Sequence, residues 1–85
     1  MGARVKMPEP LSKLLRSELE TAIHEAALHR DDDLIARRYF IEKWAQIDIA
    51  AELGWERSTV SHHLKYILPE IIRASNRLQE IGAGN

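Results

Sequence analysis

The sequence predicts an all-α fold, a small helical bundle of about five helices in a single domain. Three observations predict it. Leu11, Leu14, Leu15, Leu19, Ala22, Ile23 and Ala26 recur mostly at spacings of three and four, as one face of a helix does. Val60, Leu64, Ile67, Ile71, Ala74, Leu78 and Ile81 repeat at four and three in alternation, a heptad-like seam. Between the two stripes, Gly54 separates two shorter helical patterns, at a point where a left-handed residue ends a helix at little cost. The 85 residues suffice for one domain with a modest core, and 45% apolar with 29% charged residues fits a soluble globular chain.

Taken in order, residues 1–9 read as a flexible N-terminal tail, with Arg4 and Lys6 the only cations for a basic arm. The domain occupies residues 10–81. Pro10 suits the first position of a helix, and the first stripe carries that helix about five turns, to about His29. His24 and His29 lie about 140° apart on it and do not converge on a metal. Asp31-Asp32-Asp33 reads as a turn whose last Asp caps the next helix. No glycine-bearing calcium loop accompanies them. The second helix runs from about Leu34 to Lys43, with Tyr39 and Phe40 in the core. Arg37 and Arg38 either touch phosphate or pair with the Asp cluster, and Trp44 packs at the next junction. Pro69 interrupts the last stripe. A mid-helix proline costs about 3 kcal/mol, so a break or strong kink is expected there. A separate C-terminal helix then covers 70–81, and residues 82–85 trail as a flexible tail.

The middle of the chain carries the functional pattern, over residues 46–65. Ile49, Ala50 and Leu53 share one side of a short helix. Gly54 turns the chain, and Trp55 is an apolar plug in the turn. The following helix puts Val60, Leu64 and Ile67 on one side. Its other side holds Arg57, Ser58, Ser61, His62 and Lys65, donors suited to phosphates and base edges. Ile49-Ala50, Leu53-Gly54, Arg57-Ser58-Thr59-Val60-Ser61 and Leu64-Lys65 together resemble a helix-turn-helix. The pattern is similar to region four of bacterial sigma factors and to the LuxR-type response regulator domain. Thr59-Val60 followed by His63-Leu64 resembles the latter, and Arg38-Tyr39-Phe40-Ile41-Glu42 resembles the helix that precedes the motif in sigma factors. The resemblance covers about residues 34–68. Glu56 stands where these families have Ser or Thr, and Ala45 where they often have Ser. The stretch from Arg38 to Trp44 carries one residue more than the sigma spacing.

The resemblance implies a sequence-specific transcriptional regulator that binds double-stranded DNA. Its recognition helix, about residues 57–68, would enter the major groove. The expected DNA contacts are Gln46, Arg57, Ser58, Thr59, Ser61, His62 and Lys65. The Arg57 fork suits a guanine edge or a phosphate. His63 is expected to pack partly into the domain. A homodimer would place two recognition helices one DNA turn apart. Its candidate interface is Leu11, Leu15 and Leu19 from the first stripe with Ile71, Leu78 and Ile81 from the last. The other arrangement packs those two stripes on each other within one chain.

The net charge of −1 is unevenly spread. Residues 31–56 hold three Lys/Arg against seven Asp/Glu, whereas residues 57–85 hold four against two. A local positive field can attract DNA when the whole chain is near neutral. The acidic stretch and Glu56 favour an alternative, a sigma-region-4-like interaction module that binds RNA polymerase or another regulator and not DNA. An enzyme is not expected: the sequence has no nucleophile–base–acid set, no glycine-rich phosphate loop and no metal-ligand spacing. No cofactor is expected either. Cysteine is absent, which removes a disulfide framework and a thiolate metal site. No apolar run approaches a membrane span, and no apolar segment near Met1–Pro10 reads as a secretory signal. A cytoplasmic protein with no membrane partner is the expectation.

Overall fold

The computed structural model describes Glu9 and residues 11–83. Its elements are all helical: a 3-10 turn at Leu11–Lys13, α1 at Arg16–Glu25, α2 at Arg30–Ala36 continuing as a π-helical segment at Arg37–Ile41, α3 at Gln46–Leu53, and α4 at Arg57–Ala83. The expectation for Pro10, and those for residues 1–8, 84 and 85, lie outside the described residues.

The first stripe forms a broken helix where a continuous one was expected. Leu15 is extended, and its N–H donates to the Glu18 carboxylate at 2.8 Å. That bond satisfies a donor at the start of α1, half of a capping box. The break turns Leu11 inward, where it is fully buried, and leaves Leu15 68% exposed. At the other end, α1 stops at Glu25, and Ala27 takes a left-handed φ of 51°. The helix after it begins at Arg30, four residues before the expected Leu34. Asp31, Asp32 and Asp33 therefore lie in its first turn, and none of them precedes it as a cap. Their charges still face the positive end of the helix dipole.

The segment from Arg37 to Ile41 is wound more widely than an α-helix. Glu42 N–H donates to the Arg37 carbonyl five residues back, at 3.0 Å, and Trp44 N–H reaches the Arg38 carbonyl at 2.9 Å. A π-turn takes up one residue beyond the α-helical count. Lys43 then closes the segment with a left-handed φ of 63°.

α3 ends as its sequence dictates. Gly54 has φ 71° and ψ 29°, Trp55 N–H donates to the Ala50 carbonyl at 2.9 Å, and Gly54 N–H donates to that of Ala51 at 3.3 Å. These two bonds make a Schellman ending, which requires the left-handed residue between them. Glu56 accepts from Thr59 and Val60 N–H at 3.0 and 3.3 Å, and so opens α4.

α4 is the element on which the others pack: α1, α2 and α3 all contact it. At about 1.5 Å per residue its 27 residues span about 40 Å, close to the molecule's 44 Å long axis. Of the break or strong kink expected at Pro69, the break is absent: the helix runs through it, so residues 70–81 and, from the expected tail, Gly82 and Ala83 are part of α4. The reason is on its two faces. Pro69 lies on the exposed side, whereas Val60, Leu64, Ile67, Ile71 and Ala74 are buried on the other. Burial on both sides of the proline holds the two halves in one helix, and the proline ring itself lies on the exposed side. With α1 supplying Leu19, Ala22 and Ile23, α2 and the π-segment Ile35, Ala36 and Phe40, and α3 Ile49 and Ala50, this seam forms one core.

That core takes up half of the candidate dimer surface. Leu11, Leu19 and Ile71 are buried within this chain, because α1 and α4 pack on each other, and a second copy could reach them only by opening it. Leu15 is exposed and Leu78 half-buried, while the side chain of Ile81 lies outside the described residues.

Candidate nucleic-acid interface

The buried side of α4 sets what its other side presents. Helical residues advance by about 100° each. His62 therefore points opposite the mean direction of Val60, Leu64, Ile67 and Ile71. Ser58 and Lys65 lie to one side of it and Tyr66 to the other, and all four are exposed. Arg57 and Thr59, in the first turn, are exposed as well. Gln46, the first residue of α3, is half-buried, as is Ser61. Both border a shallow groove of about 230 Å³ with Lys65, floored by Tyr39, Phe40, Leu64 and Leu68. The fold thus brings Gln46, Ser61 and Lys65 to one groove, and Ser58, His62 and Lys65 to one outward face. Thr59 lies on the far flank of the helix from Gln46.

The electrostatics of this face differ from those of the rest of the chain. From Arg57 to Pro69 there is no Asp or Glu. Among the described residues neither Arg57 nor Lys65 is in an ion pair. The acids of residues 31–56 are largely occupied. Asp33 accepts from Arg37 at 2.9 Å. Glu42 and Glu52 both hold Arg38, at 2.6 and 3.0 Å. Asp32 Oδ1 lies 2.7 Å from His63 Nδ1. These bonds spend four of the seven acids of that stretch on partners inside the domain.

Two of these contacts also orient α4 and the turn. His63 bridges α4 to α2 through Asp32 and packs its ring on Trp55 at 4.9 Å between centroids, so it faces the domain as its neighbour Leu64 suggested. Arg38 joins the π-segment to Glu52 of α3 and lies 4.8 Å from the Trp44 ring centroid. Donating hydrogen bonds to Glu52, and then to Glu42, pushes the pKa of the Arg38 guanidinium further up, because both carboxylates favour its charged form. Arg37 and Arg38 thus pair with carboxylates.

Sequence reasoning missed Tyr66. It lies four residues after His62 and off the apolar stripe, and that spacing is the signal that could have found it. In the structure it is 66% exposed, and its ring stands edge-on to His62 at 5.1 Å. Among the described residues no group of three or more His, Asp or Glu is placed to hold a metal, and no helix is long and apolar enough to cross a membrane. Compared with known proteins, the chain matches no family model, no curated protein and no solved structure.

Proposed function

We propose that this protein is a transcriptional regulator of the helix-turn-helix kind, resembling sigma region four and LuxR-type domains, and that it binds double-stranded DNA through the outer face of α4. One observation carries the reading. α4 presents Ser58, His62 and Lys65 outward, Arg57 is exposed in its first turn, and no acid lies between Arg57 and Pro69, while four of the seven carboxylates of residues 31–56 are held by internal partners. A compact domain of net charge −1 thereby offers one locally positive face. Arg57, at the start of α4, reaches a phosphate or a guanine edge, and Lys65 reaches the backbone. Gln46 stands beside Lys65 to hold a phosphate at the edge of the same surface. A homodimer supplies the second half-site, with Leu15 and Leu78 as the apolar contacts that the monomer leaves accessible. A cytoplasmic setting fits a chain without cysteine.

The groove floored by Tyr39, Phe40, Leu64 and Leu68 favours a second reading, a module that docks RNA polymerase or another regulator. Binding to a pool of random duplexes, followed by fluorescence anisotropy from about 50 to 200 mM salt, separates the two. The DNA reading expects a negative log–log slope. Arg57→Ala with Lys65→Ala weakens binding and flattens that slope by about 2, since each lost phosphate contact removes about 0.9. No binding at the lowest salt would end the DNA reading and leave the docking module.

A further inference from the structure

We infer that Tyr66, oriented by His62, is a specificity-determining residue that reads the C5 methyl of a thymine in the major groove; this rests on the DNA-binding reading above. The inference starts from position. His62 lies at the apex of the outward face of α4, and Tyr66 stands about 40° from it, nearer than Lys65 at about 60° on the other side. Any duplex seated on Ser58, His62 and Lys65 therefore meets Tyr66 as well. Ser58 to Tyr66 covers about 12 Å of helix, the rise of three to four base pairs. α4 runs unbroken through Pro69, so this turn is not frayed.

The side chain itself is unusual on such a face. Its ring is 66% exposed, and it is one of three large apolar side chains so exposed among the described residues. It does not lie on the core. It stands edge-to-face with His62, at 5.1 Å between centroids and 73° between planes. That contact holds the aromatic surface outward and limits its rotamers, so little side-chain freedom is lost on binding. Base edges in the major groove are almost wholly polar; the thymine methyl is the apolar group they present. An ordered aromatic surface among hydroxyl and basic side chains thus has one favourable base partner. Lys65 and Arg57 hold the backbone, and the Tyr66 ring supplies discrimination that carries no charge.

The test uses the full chain. Duplexes are selected from a random library with the natural protein, and each thymine of the best duplex is replaced singly by deoxyuridine, which lacks the methyl. Anisotropy then measures binding at fixed salt for the natural protein, Tyr66→Ala, Tyr66→Phe, and the double change at Arg57 and Lys65. At one thymine the replacement should weaken the natural protein and Tyr66→Phe about fourfold, the transfer of one methyl-sized group from water. Tyr66→Ala should bind the thymine duplex at least that much more weakly, be indifferent to the replacement, and keep the natural salt slope. Tyr66 is exposed, so these variants fold, which far-UV circular dichroism verifies. If Tyr66→Ala keeps both its affinity and its sensitivity to deoxyuridine while the Arg57 and Lys65 change still weakens binding, the thymine inference is overturned and the DNA reading stands. If the natural protein selects no duplex at all, both are overturned.

Discussion

Replacing Pro69 with alanine restores the one backbone donor that α4 lacks in its interior. The Lys65 carbonyl has no N–H at position 69 to accept from, and the proline ring crowds it. A proline in a helix interior is worse than alanine by about 3 kcal/mol. Against this, proline restricts the unfolded chain, worth about 0.4–1 kcal/mol in the opposite direction. Pro69 is exposed, so its removal opens no cavity in the core. The balance is a gain of about 2 kcal/mol. For a chain of this size that raises Tm by about 8–16 °C. Thermal and urea unfolding followed by circular dichroism at the helix band should show it, with a higher midpoint and an unchanged denaturant slope. An unchanged or lower Tm would refute the reasoning. It would mean that the curvature imposed by the proline seats Ile71 and Ala74 on α1, or that the helix is interrupted there in solution.

Two further stability predictions probe single backbone and side-chain features. An added Cβ at Gly54 meets no atom within 4 Å, so Gly54→Ala carries only the conformational cost of φ 71°. That is about 1 kcal/mol and lowers Tm by about 4–8 °C, with Gly54→Asn recovering part of the loss. Equal melting temperatures for the alanine variant and the natural protein would refute a Schellman ending at this turn. The Ser75 hydroxyl is buried, its residue 2% exposed, and has no hydrogen-bond partner among the described residues. Ser75→Ala is therefore expected to stabilise by about 1 kcal/mol, read as a higher urea midpoint, and a loss of stability would show that the hydroxyl is satisfied in solution.

The legibility of the sequence varied along the chain for physical reasons. The turn at Gly54 was readable because it depends on local chemistry alone: a glycine directly after Leu53, at the end of an apolar helical pattern, followed by an aromatic residue. The faces of α4 were readable for the same reason, since a period of three and four sorts Val60, Leu64 and Ile67 from Ser58, His62 and Lys65. The first helix was drawn too long. Leu11, Leu14 and Leu15 fit the same period in a straight helix as in a broken one, and the choice lies in whether Leu11 is drawn inward toward Phe40. The widened turn from Arg37 to Ile41 left only a trace, a stretch one residue longer than the sigma spacing. Tyr66 was overlooked because helical period alone does not distinguish an aromatic residue on the outer face from one at the edge of the core.

The sequence alone determined the all-α class, the position of the turn, and the division of α4 into an apolar side and a donor side. These follow from residue spacing and from the conformational freedom of one glycine, which act within a few residues. Only the tertiary structure decided that Pro69 does not end the helix, because the burial that outweighs it comes from α1, far away in sequence. Only the tertiary structure decided that Leu11, Leu19 and Ile71 belong to this chain's own core and that four of the seven acids in residues 31–56 are held by Arg37, Arg38 and His63. Composition counts charges and apolar groups. Which partner each one meets is set by packing between segments far apart in sequence, such as the 31 residues that separate Asp32 from His63.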